Sequence, residues 1–323
     1  VRALEIAAAG GHHLIAYGPP GCGKTLALRR FPAILPDMDG ETAVTLTRIH
    51  SIAGILPEAG RLLVRPPFRE PHQNASMEGI IGGGRLCAPG EISLAHGGTL
   101  FLDEAALFRE SALQALRTPL ETGTVTVSRA GRAGTFPARF QLLMAVNPCP
   151  CGNFGKEGSI CTCPPESVEK YWKKLTAPLL DRIDLRIAVA EPEPSALASE
   201  PTVSTEKLRQ SIARARRIQW ERNARAGKMR AGSSGAGNPG AGWLNAHMDA
   251  EKTAELCVLT DAVRRLFVHC METARLSGRA GHGILRTART IADLAGENLI
   301  GETHLLEAMS LRRWNGLVPD FLL

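Results

Sequence analysis

One stretch decides the fold, Gly18-Pro19-Pro20-Gly21-Cys22-Gly23-Lys24-Thr25, which reads GPPGCGKT. It fits the phosphate-binding loop pattern G-x-x-x-x-G-K-[ST] at every position. Residues 12–17 before it predict a strand, and residues 25–31 after it predict a helix. Glycines let the backbone wrap closely around an anion, and the start of a helix adds the positive end of its dipole. The stretch therefore predicts a nucleotide-binding α/β fold.

The side chains that end this loop have separate expected tasks. We expect Lys24 to contact the β- and γ-phosphates of ATP as a point charge, and Thr25 to offer its hydroxyl to Mg²⁺. The backbone N–H groups of residues 18–25 are expected to bind phosphate oxygens. The cofactors predicted from the sequence are therefore ATP and Mg²⁺.

Two carboxylates follow an apolar segment further along the chain. Residues 99–102 predict a strand buried on both faces, and Asp103 and Glu104 follow it directly. Ligands of parallel α/β sheets bind at the carboxyl ends of the strands. We therefore expect Asp103 to hold the Mg²⁺ water shell and Glu104 to act as general base toward the attacking water. Asn147 follows another predicted strand, residues 141–146, and its amide is expected to orient that water.

Composition and charge narrow the class of protein. With 44% hydrophobic and 22% charged residues, the chain of 323 residues can bury a sizeable core, so we do not expect disorder. No apolar run of about 18 residues predicts a membrane span, and the first residues do not resemble an export signal. We therefore expect a cytoplasmic protein. The formal charge of +6 favours a polyanion such as nucleic acid, or it serves solubility alone.

The pattern of elements divides the chain into two parts. Residues 1–190 predict an α/β unit, and residues 191–323 predict an all-helical unit with a flexible Gly/Ala/Ser loop at about 226–242. Two Glu-Pro pairs at residues 191–194 mark the boundary. Within the first unit, the β-branched residues in the segment 42–47 predict a second strand.

Several longer strings resemble one family. They are Ala3-Leu4-Glu5-Ile6-Ala7-Ala8-Ala9-Gly10-Gly11-His12, Gly82-Gly83-Gly84, Pro89-Gly90-Glu91-Ile92-Ser93-Leu94-Ala95-His96, Asn147-Pro148-Cys149-Pro150-Cys151-Gly152 and Ala288-Arg289-Thr290-Ile291-Ala292-Asp293-Leu294. Together they resemble the magnesium-chelatase-like YifB/ComM family of AAA+ ATPases, in the branch with an extra hairpin inserted in the second helix. The resemblance implies an AAA+ P-loop core with a parallel sheet, followed by an all-helical lid domain, with ATP between them. It also implies a ring, a homo-hexamer, with each ATP held between neighbours.

The same resemblance implies roles for arginines near the end of the core and in the lid. The segment 179–184, LLDRID, is similar to the one that supplies the arginine finger of this branch. Arg182 would then neutralise charge on the γ-phosphate of the adjacent subunit. Without the resemblance, Arg182 is a surface residue paired with a neighbouring aspartate. Arg279 resembles the second sensor, which touches the γ-phosphate from the lid, and Arg286 is the alternative.

Two hairpins are expected to project toward the channel of such a ring. One lies around residues 82–92, and the other joins predicted strands at 124–128 and 135–140, with Arg129 and Arg132 at its tip. Basic side chains in a channel suit the phosphate backbone of single-stranded or branched DNA, whereas an ordinary solvated hairpin is the alternative. Aromatic residues for base stacking are scarce, so reading of a DNA sequence is not expected.

Four of the eight cysteines form a cluster, which consists of Cys149, Cys151, Cys161 and Cys163. Four thiols in a Gly-rich loop can form a closed tetrahedral Zn²⁺ site with a structural role, since no position stays open for catalysis. The C-x-C spacing is tighter than the usual C-x₂-C spacing of such sites. Reduced free thiols and disulfides are the alternatives, and disulfides are disfavoured in the cytoplasm.

Motifs and resemblance together predict an ATP-hydrolysing motor acting on DNA, a hexameric helicase or branch-migration factor of the kind associated with natural transformation. The first alternative is a chelatase-like ATPase that remodels a protein partner for metal insertion into a tetrapyrrole. The second is a nucleotide-binding assembly module without a productive motor. Members of the family carry an N-terminal domain that resembles the Lon S5-like fold, whereas this chain begins just before the P-loop. We therefore expect an excised fragment or a naturally short version.

Overall fold

The computed structural model describes residues 1–57, 60–84, 86–129, 132–156, 158–191, 203–230 and 244–314, without the side chains of residues 129, 132 and 226–230. The first elements are α1 (Arg2–Gly10), β1 (Leu14–Tyr17), α2 (Lys24–Arg29), α3 (Gly40–Ile52), β2 (Phe68–Arg69), α4 (Met77–Ile81), β3 (Gly82–Gly83), β4 (Ala88–Pro89), α5 (Glu91–Leu94) and β5 (Thr99–Leu102). They are followed by α6 (Glu110–Ala115), α7 (Arg117–Thr122), β6 (Thr124–Arg129), β7 (Arg132–Pro137), β8 (Gln141–Val146), α8 (Pro165–Lys173), α9 (Ala177–Leu180) and β9 (Leu185–Ala188). The C-terminal part contains α10 (Thr205–Arg230), α11 (Ala250–Leu256), α12 (Asp261–Thr273), α13 (Gly278–Ala295) and α14 (Glu302–Ser310).

A parallel sheet of five strands forms the centre of the N-terminal part, in the order β2-β5-β8-β1-β9. Its three central strands, β5, β8 and β1, are largely apolar and fully buried because both faces are covered. Along β1, Ile15 and Tyr17 join one buried cluster, and Leu14 and Ala16 join the other. Since neighbouring strands run parallel, the carboxyl ends of β1, β5 and β8 lie at the same edge of the sheet. The segments after these strands therefore meet there.

The C-terminal helices pack on the N-terminal part through α1. The Arg216 guanidinium donates to the Ala8 carbonyl at 2.6 and 3.0 Å, and the Gln219 amide donates to the Ala9 carbonyl at 3.1 Å. These contacts join α10 to the end of α1, where the last carbonyls of a helix lack intrahelical partners. The predicted fold class, a P-loop α/β core with a parallel sheet followed by a helical region, is confirmed.

The predicted strand at residues 42–47 is wrong, because these residues lie within α3. The carboxylate of Asp39 caps this helix by accepting the N–H and the hydroxyl of Thr42 at 2.9 and 2.7 Å. Leu46 and Ile49 are buried at helical spacing. Burial of this helical face and a good N-cap outweigh the modest preference of β-branched residues for strands.

The helical part differs from the prediction at one end. Helix α10 continues to Arg230, past residue 226 where the loop was predicted to begin, and residues 231–242 of that loop lie outside the described ranges. Most of the predicted boundary, residues 192–194, also lies outside them. In the part of the chain that the structure describes, no helix has both the length and the apolar character that a membrane crossing requires.

Candidate active site

The phosphate-binding loop runs from the end of β1 to the start of α2. Gly21 and Gly23 have φ angles of 83° and 87°, in the left-handed region that favours glycine. A Cβ atom at either position would have no atom within 4 Å, so the space above both glycines is open to a phosphate. The Lys24 ammonium donates to the carbonyl oxygens of Gly18 and Pro19, each at 2.7 Å. The carbonyl groups of the loop thus hold the Lys24 ammonium beside an open cradle, by which we mean the space above Gly21 and Gly23.

Thr25 and Asp103 meet although they are far apart in sequence. The Thr25 hydroxyl donates to Asp103 Oδ1 at 2.9 Å. A hydroxyl beside a carboxylate is the oxygen donor set that suits Mg²⁺, so these residues fit the predicted metal. Arg29 lies 3.8 Å from the other oxygen of Asp103 and 2.6 Å from Glu70. The sequence did not single out Arg29, at the end of α2, because no motif includes it. Glu70 follows β2, which has only two residues and gives almost no periodic signal.

Glu104 has a backbone conformation that non-glycine residues rarely adopt. Its φ is 50°, in the left-handed region, and its N–H donates to Asp103 Oδ1 at 3.1 Å. Such conformations cost on the order of 1–3 kcal/mol and cluster at functional sites, where they aim a side chain. The side chain of Glu104 is exposed and lines the cavity beside the phosphate-binding loop.

One cavity of about 420 Å³ brings the predicted groups together. Its lining consists of Pro20, Gly21, Gly23, Lys24, Thr25, Leu26, Asp103, Glu104, Ala145 and Asn147. These residues all belong to the α/β part. Arg279, the lid arginine expected at the phosphates, lines a different cavity.

Two buried aromatic residues of α8, Tyr171 and Trp172, form hydrogen bonds with the backbone at Asn147 and Pro148. Burial raises the pKa of Tyr171, which receives a hydrogen bond from the backbone of Asn147. The Trp172 indole donates to the Pro148 carbonyl at 2.9 Å. The strand end and α8 therefore fix the backbone at Asn147, and its amide lines the cavity.

The predicted arginines line a second cavity, of about 400 Å³, which also contains Glu121. Arg279 Nη2 lies 2.5 Å from Glu121 Oε1, and Arg182 Nη2 contacts the same oxygen. The hydrogen bond from Arg279 lowers the pKa of Glu121. Burial lowers the pKa of Arg182, and the charge of Arg279 adds to this effect. The structure thus brings Arg182 and Arg279 together, away from the phosphate-binding loop of the same chain.

Arg286 lines this cavity as well but has other partners. Its guanidinium donates to the Met248 carbonyl at 2.9 Å and lies 3.7 Å from Asp184. Glu121 was not singled out from the sequence, since it lies in α7 without any motif that ties it to residues 182 and 279. Only the packing of distant segments reveals this ion pair.

The four clustered cysteines lie close together in the loop after β8. Their sulfur atoms all lie within 4.8 Å of one another. A backbone hydrogen bond from Asn153 and the neighbouring thiols lower the pKa of Cys151 to about 6, while burial raises the pKa of Cys149 to about 12. Thiolate is the form in which cysteine binds metal ions.

The basic hairpin forms as predicted, with β6 antiparallel to β7 and residue 129 opposite residue 132. The side chains of Arg129 and Arg132, at the predicted DNA contact, lie outside the described part of the chain. Residues 82–83 and 88–89 form the other predicted hairpin, from β3 and β4.

Comparisons with known proteins agree with this architecture. The family described as magnesium chelatase, subunit ChlI, matches residues 1–197, and the one described as its C-terminal region matches residues 202–312. The chain is 38% identical to the protein YifB of Escherichia coli, over 96% of this chain and 58% of that protein. It is also 38% identical to the competence protein ComM of Haemophilus influenzae, over 96% of this chain and 57% of ComM.

A more distant relative is the magnesium-chelatase 38 kDa subunit of Acidiphilium rubrum. It is 28% identical, over 94% of this chain and 84% of that subunit. The chain thus spans little more than half the length of YifB and ComM but most of the length of the chelatase subunit.

Proposed function

The chain belongs to the YifB/ComM family of magnesium-chelatase-like AAA+ ATPases, and we propose that it hydrolyses ATP to drive movement on DNA. One observation carries the proposal, the meeting of five groups in a single cavity: Lys24, Thr25, Asp103, Glu104 and Asn147. They supply a cation for phosphates, an oxygen pair for a divalent metal, a base and an amide for water. This combination suits hydrolysis of a phosphoanhydride.

Each of these residues has a defined task in the proposed reaction. The phosphates of ATP would lie in the open cradle of Gly21 and Gly23, with the Lys24 ammonium turned from loop carbonyls to phosphate oxygens. Thr25 and Asp103 would hold Mg²⁺, which neutralises phosphate charge when bound. Glu104 accepts the proton of the attacking water, while the Asn147 amide orients that water.

We propose that a neighbouring subunit completes the site. Arg182 lines a different cavity from the phosphate-binding loop of its own chain, which supports a role as arginine finger toward the next chain. Arg279 shares a carboxylate oxygen with Arg182, so it is the better candidate for the second sensor. Arg286 is already bound by Met248 and Asp184. This arrangement favours a closed ring, and we propose a homo-hexamer.

DNA, single-stranded or branched, is the proposed polymer. The hairpin of β6 and β7 carries Arg129 and Arg132, and the chain has a formal charge of +6. The name of the relative ComM refers to competence. The proposed cofactors are ATP with Mg²⁺ and a structural Zn²⁺ held by the four clustered cysteines.

A chelatase-like ATPase that remodels a protein partner is the second candidate. The observation in its favour is the likeness to the magnesium-chelatase subunit over 84% of that subunit's length. The two candidates differ in what stimulates hydrolysis, which is DNA in the first and a protein partner with porphyrin in the second.

Steady-state ATP hydrolysis tests the proposal. The rate is measured without DNA, with single-stranded DNA and with a branched junction, and Glu104→Gln serves as the inactive control. We expect DNA to raise the rate and the increase to vanish in the variant. Hydrolysis that DNA does not change would favour the protein-remodelling candidate. Absence of both nucleotide binding and hydrolysis would contradict both candidates for this chain.

A further inference from the structure

We propose that Cys149, Cys151, Cys161 and Cys163 bind one Zn²⁺, and that the loop held by this metal braces the phosphate-binding loop for nucleotide binding. We call residues 147–164 the cysteine loop. The metal site stands on its own geometry. The bracing role rests on the proposed function, because it requires that the phosphate-binding loop binds ATP.

The sulfur atoms are spaced as in a metal tetrahedron. Cys149 Sγ lies 3.4 Å from Cys151 Sγ and 3.6 Å from Cys161 Sγ, and the latter two are 3.7 Å apart. A tetrahedral zinc ion with Zn–S bonds of about 2.3 Å separates its sulfur ligands by about 3.8 Å. Disulfide sulfurs are only about 2.0 Å apart, and all four cysteines are free. The separations therefore match a shared metal ion.

Backbone N–H groups support the same conclusion. The N–H of Phe154 donates to Cys149 Sγ at 3.4 Å, and the N–H of Asn153 points to the sulfur of Cys151. Hydrogen bonds of this kind offset the negative charge of metal-bound thiolates. When Zn²⁺ binds, the thiols lose their protons to solvent and all four positions of the metal are filled, so the role is structural.

Packing holds the second half of the cysteine loop only in part, because Cys161 and Cys163 are partly buried against the core rather than enclosed by it. Between β8 and α8 the described residues form no helix or strand, and Ile160, next to Cys161, is 84% exposed. Cys149, by contrast, is fully buried at the base of the loop. A metal shared by Cys149 and Cys151 with Cys161 and Cys163 would add folding free energy to this partial burial.

The first part of the cysteine loop, residues 147–152, contacts the phosphate-binding loop. Gly152 has a φ of 83°, and a Cβ atom there would lie only 2.6 Å from Cδ of Pro20. The loop also begins at Asn147, whose amide lines the nucleotide cavity. A metal that fixes Cys149 and Cys151 therefore fixes the segment between two sides of the nucleotide site.

Metal analysis tests the first half of the proposal. We expect about one zinc per chain in the purified protein by elemental mass spectrometry. The Cys161→Ser/Cys163→Ser variant should lose it, whereas Cys270→Ala, on α12, should retain it. Replacement by Co²⁺ should give thiolate-to-cobalt charge-transfer absorption. A protein without metal, with iron instead of zinc, or with zinc retained in the double variant would overturn the zinc assignment.

Nucleotide affinity tests the second half, measured with a fluorescent ATP analogue and Mg²⁺. We expect removal of the metal to weaken binding by about tenfold or more, with cooperative thermal unfolding of the core preserved. Gly152→Ala should keep the zinc yet weaken binding, because its methyl group displaces Pro20. Gly158→Ala is the matched control, since Gly158 has a φ of 69° and open space around it.

The two proposals fail in different ways. If the wild-type chain holds zinc but binds no nucleotide, the proposed function is wrong and the metal site stands. If nucleotide binds equally well with and without zinc, and Gly152→Ala matches Gly158→Ala, the bracing role is wrong while the proposed function stands.

Discussion

At the scale of single residues, the position of Glu104 has the clearest chemical consequence. A left-handed backbone at a non-glycine residue is maintained only where the surroundings impose it. Here it follows the buried strand β5 and places a carboxylate at the mouth of the nucleotide cavity. The strain is consistent with a base that must approach a water molecule.

Glu104→Gln should therefore separate hydrolysis from binding. The amide keeps the shape of the side chain but does not accept a proton, so we expect the ATPase rate to fall by about 10²- to 10⁴-fold. Affinity for the fluorescent ATP analogue should be kept. Glu110→Gln, at an exposed position in the first turn of α6, is the matched control and should leave the rate unchanged. Hydrolysis at the wild-type rate by the Glu104 variant would exclude this residue as the base.

His96 should make stability depend on pH. Burial, together with the charge of Arg139, lowers the pKa of His96 to about 4. The Nδ1 atom of His96 accepts a hydrogen bond from the backbone N–H of Arg139 at 3.1 Å, which requires a neutral ring. The unfolded chain binds this proton near pH 6.5, so the contribution is fully present above that pH and is lost as pH falls toward 4. We expect a loss of about 2 kcal/mol in unfolding free energy between pH 7 and pH 5.

Urea unfolding at the two pH values measures this effect. His96→Asn keeps an acceptor near the Arg139 N–H but does not titrate, so its stability should change less between pH 7 and pH 5. His269→Asn, at an exposed position on α12, should behave like the wild type. An equal acid-induced loss in His96→Asn and the wild type would mean that other groups cause it.

The sequence predicts which residues line one cavity where a motif is contiguous with its strand. Lys24, Thr25, Asp103 and Asn147 were found in this way, because the end of a buried parallel strand fixes where the next residue lies. Glu121 was not found. Its partners come from segments that only the tertiary fold brings together.

At the scale of elements, α3 shows what single-sequence propensity misses. Its Thr- and Val-containing segment favours a strand locally, yet the Asp39 cap and a buried face make it a helix. The sequence predicts strands β5 and β8 because every residue after their first, Thr99 and Gln141, is apolar. Strand β2, with two residues, is too short for any pattern to reveal.

Asp39→Ala should destabilise the protein through this helix. The variant loses the bonds to the N–H and hydroxyl of Thr42, and we expect the free energy of unfolding to fall by about 1 kcal/mol. Asp37→Ala, also exposed but without a capping bond among the described contacts, is the control. Equal urea midpoints for both variants would contradict the capping role.

The hairpin of β6 and β7 should carry the response to DNA. Arg129→Ala/Arg132→Ala should reduce the ratio of ATPase rates with and without DNA, because two phosphate-binding cations are removed. The residual DNA affinity should depend less steeply on salt concentration. Arg264→Ala/Arg265→Ala, an exposed pair on α12, is matched in charge and should leave the ratio unchanged. Equal ratios in both double variants would place DNA elsewhere.

At the scale of the whole molecule, a buried polar joint connects the two parts of the chain. The His12 ring lies 2.9 Å from Asp184 Oδ2 and 2.8 Å from the Thr290 hydroxyl. Burial alone would raise the pKa of Asp184, but the hydrogen bond with His12 and nearby guanidinium groups lower it below its ordinary value. The joint therefore ties α13 to the segment that carries Arg182.

The two-part organisation followed from composition and periodicity, but the placement of the parts did not. The polar joint and the Glu121 contact hold Arg279 at a cavity other than the one beside the phosphate-binding loop. Hydrogen bonds between residues 158 to 278 positions apart decide this placement, and no local pattern contains them.

If neighbouring chains complete each site, two inactive variants should rescue each other. Lys24→Ala lacks the phosphate ligand and Arg182→Ala lacks the finger, so each alone should hydrolyse little ATP. An equimolar mixture forms junctions that pair an intact loop with an intact finger in about a quarter of cases, and we expect roughly that share of the wild-type rate. A mixture no faster than the average of the separate variants would show that both residues act within one chain.

The cavity at the phosphate-binding loop and the cavity at Arg182 are separate, and this has a consequence for the ATP turnover measured per chain. In the proposed ring, each chain would carry the receiving half of one junction and the donating half of another, so an open arc of subunits would have one fewer complete site than it has members. Closing the arc adds a site without adding a chain. Dilution should therefore lower the turnover number per chain before any chain unfolds, and a blocked end should silence a single junction.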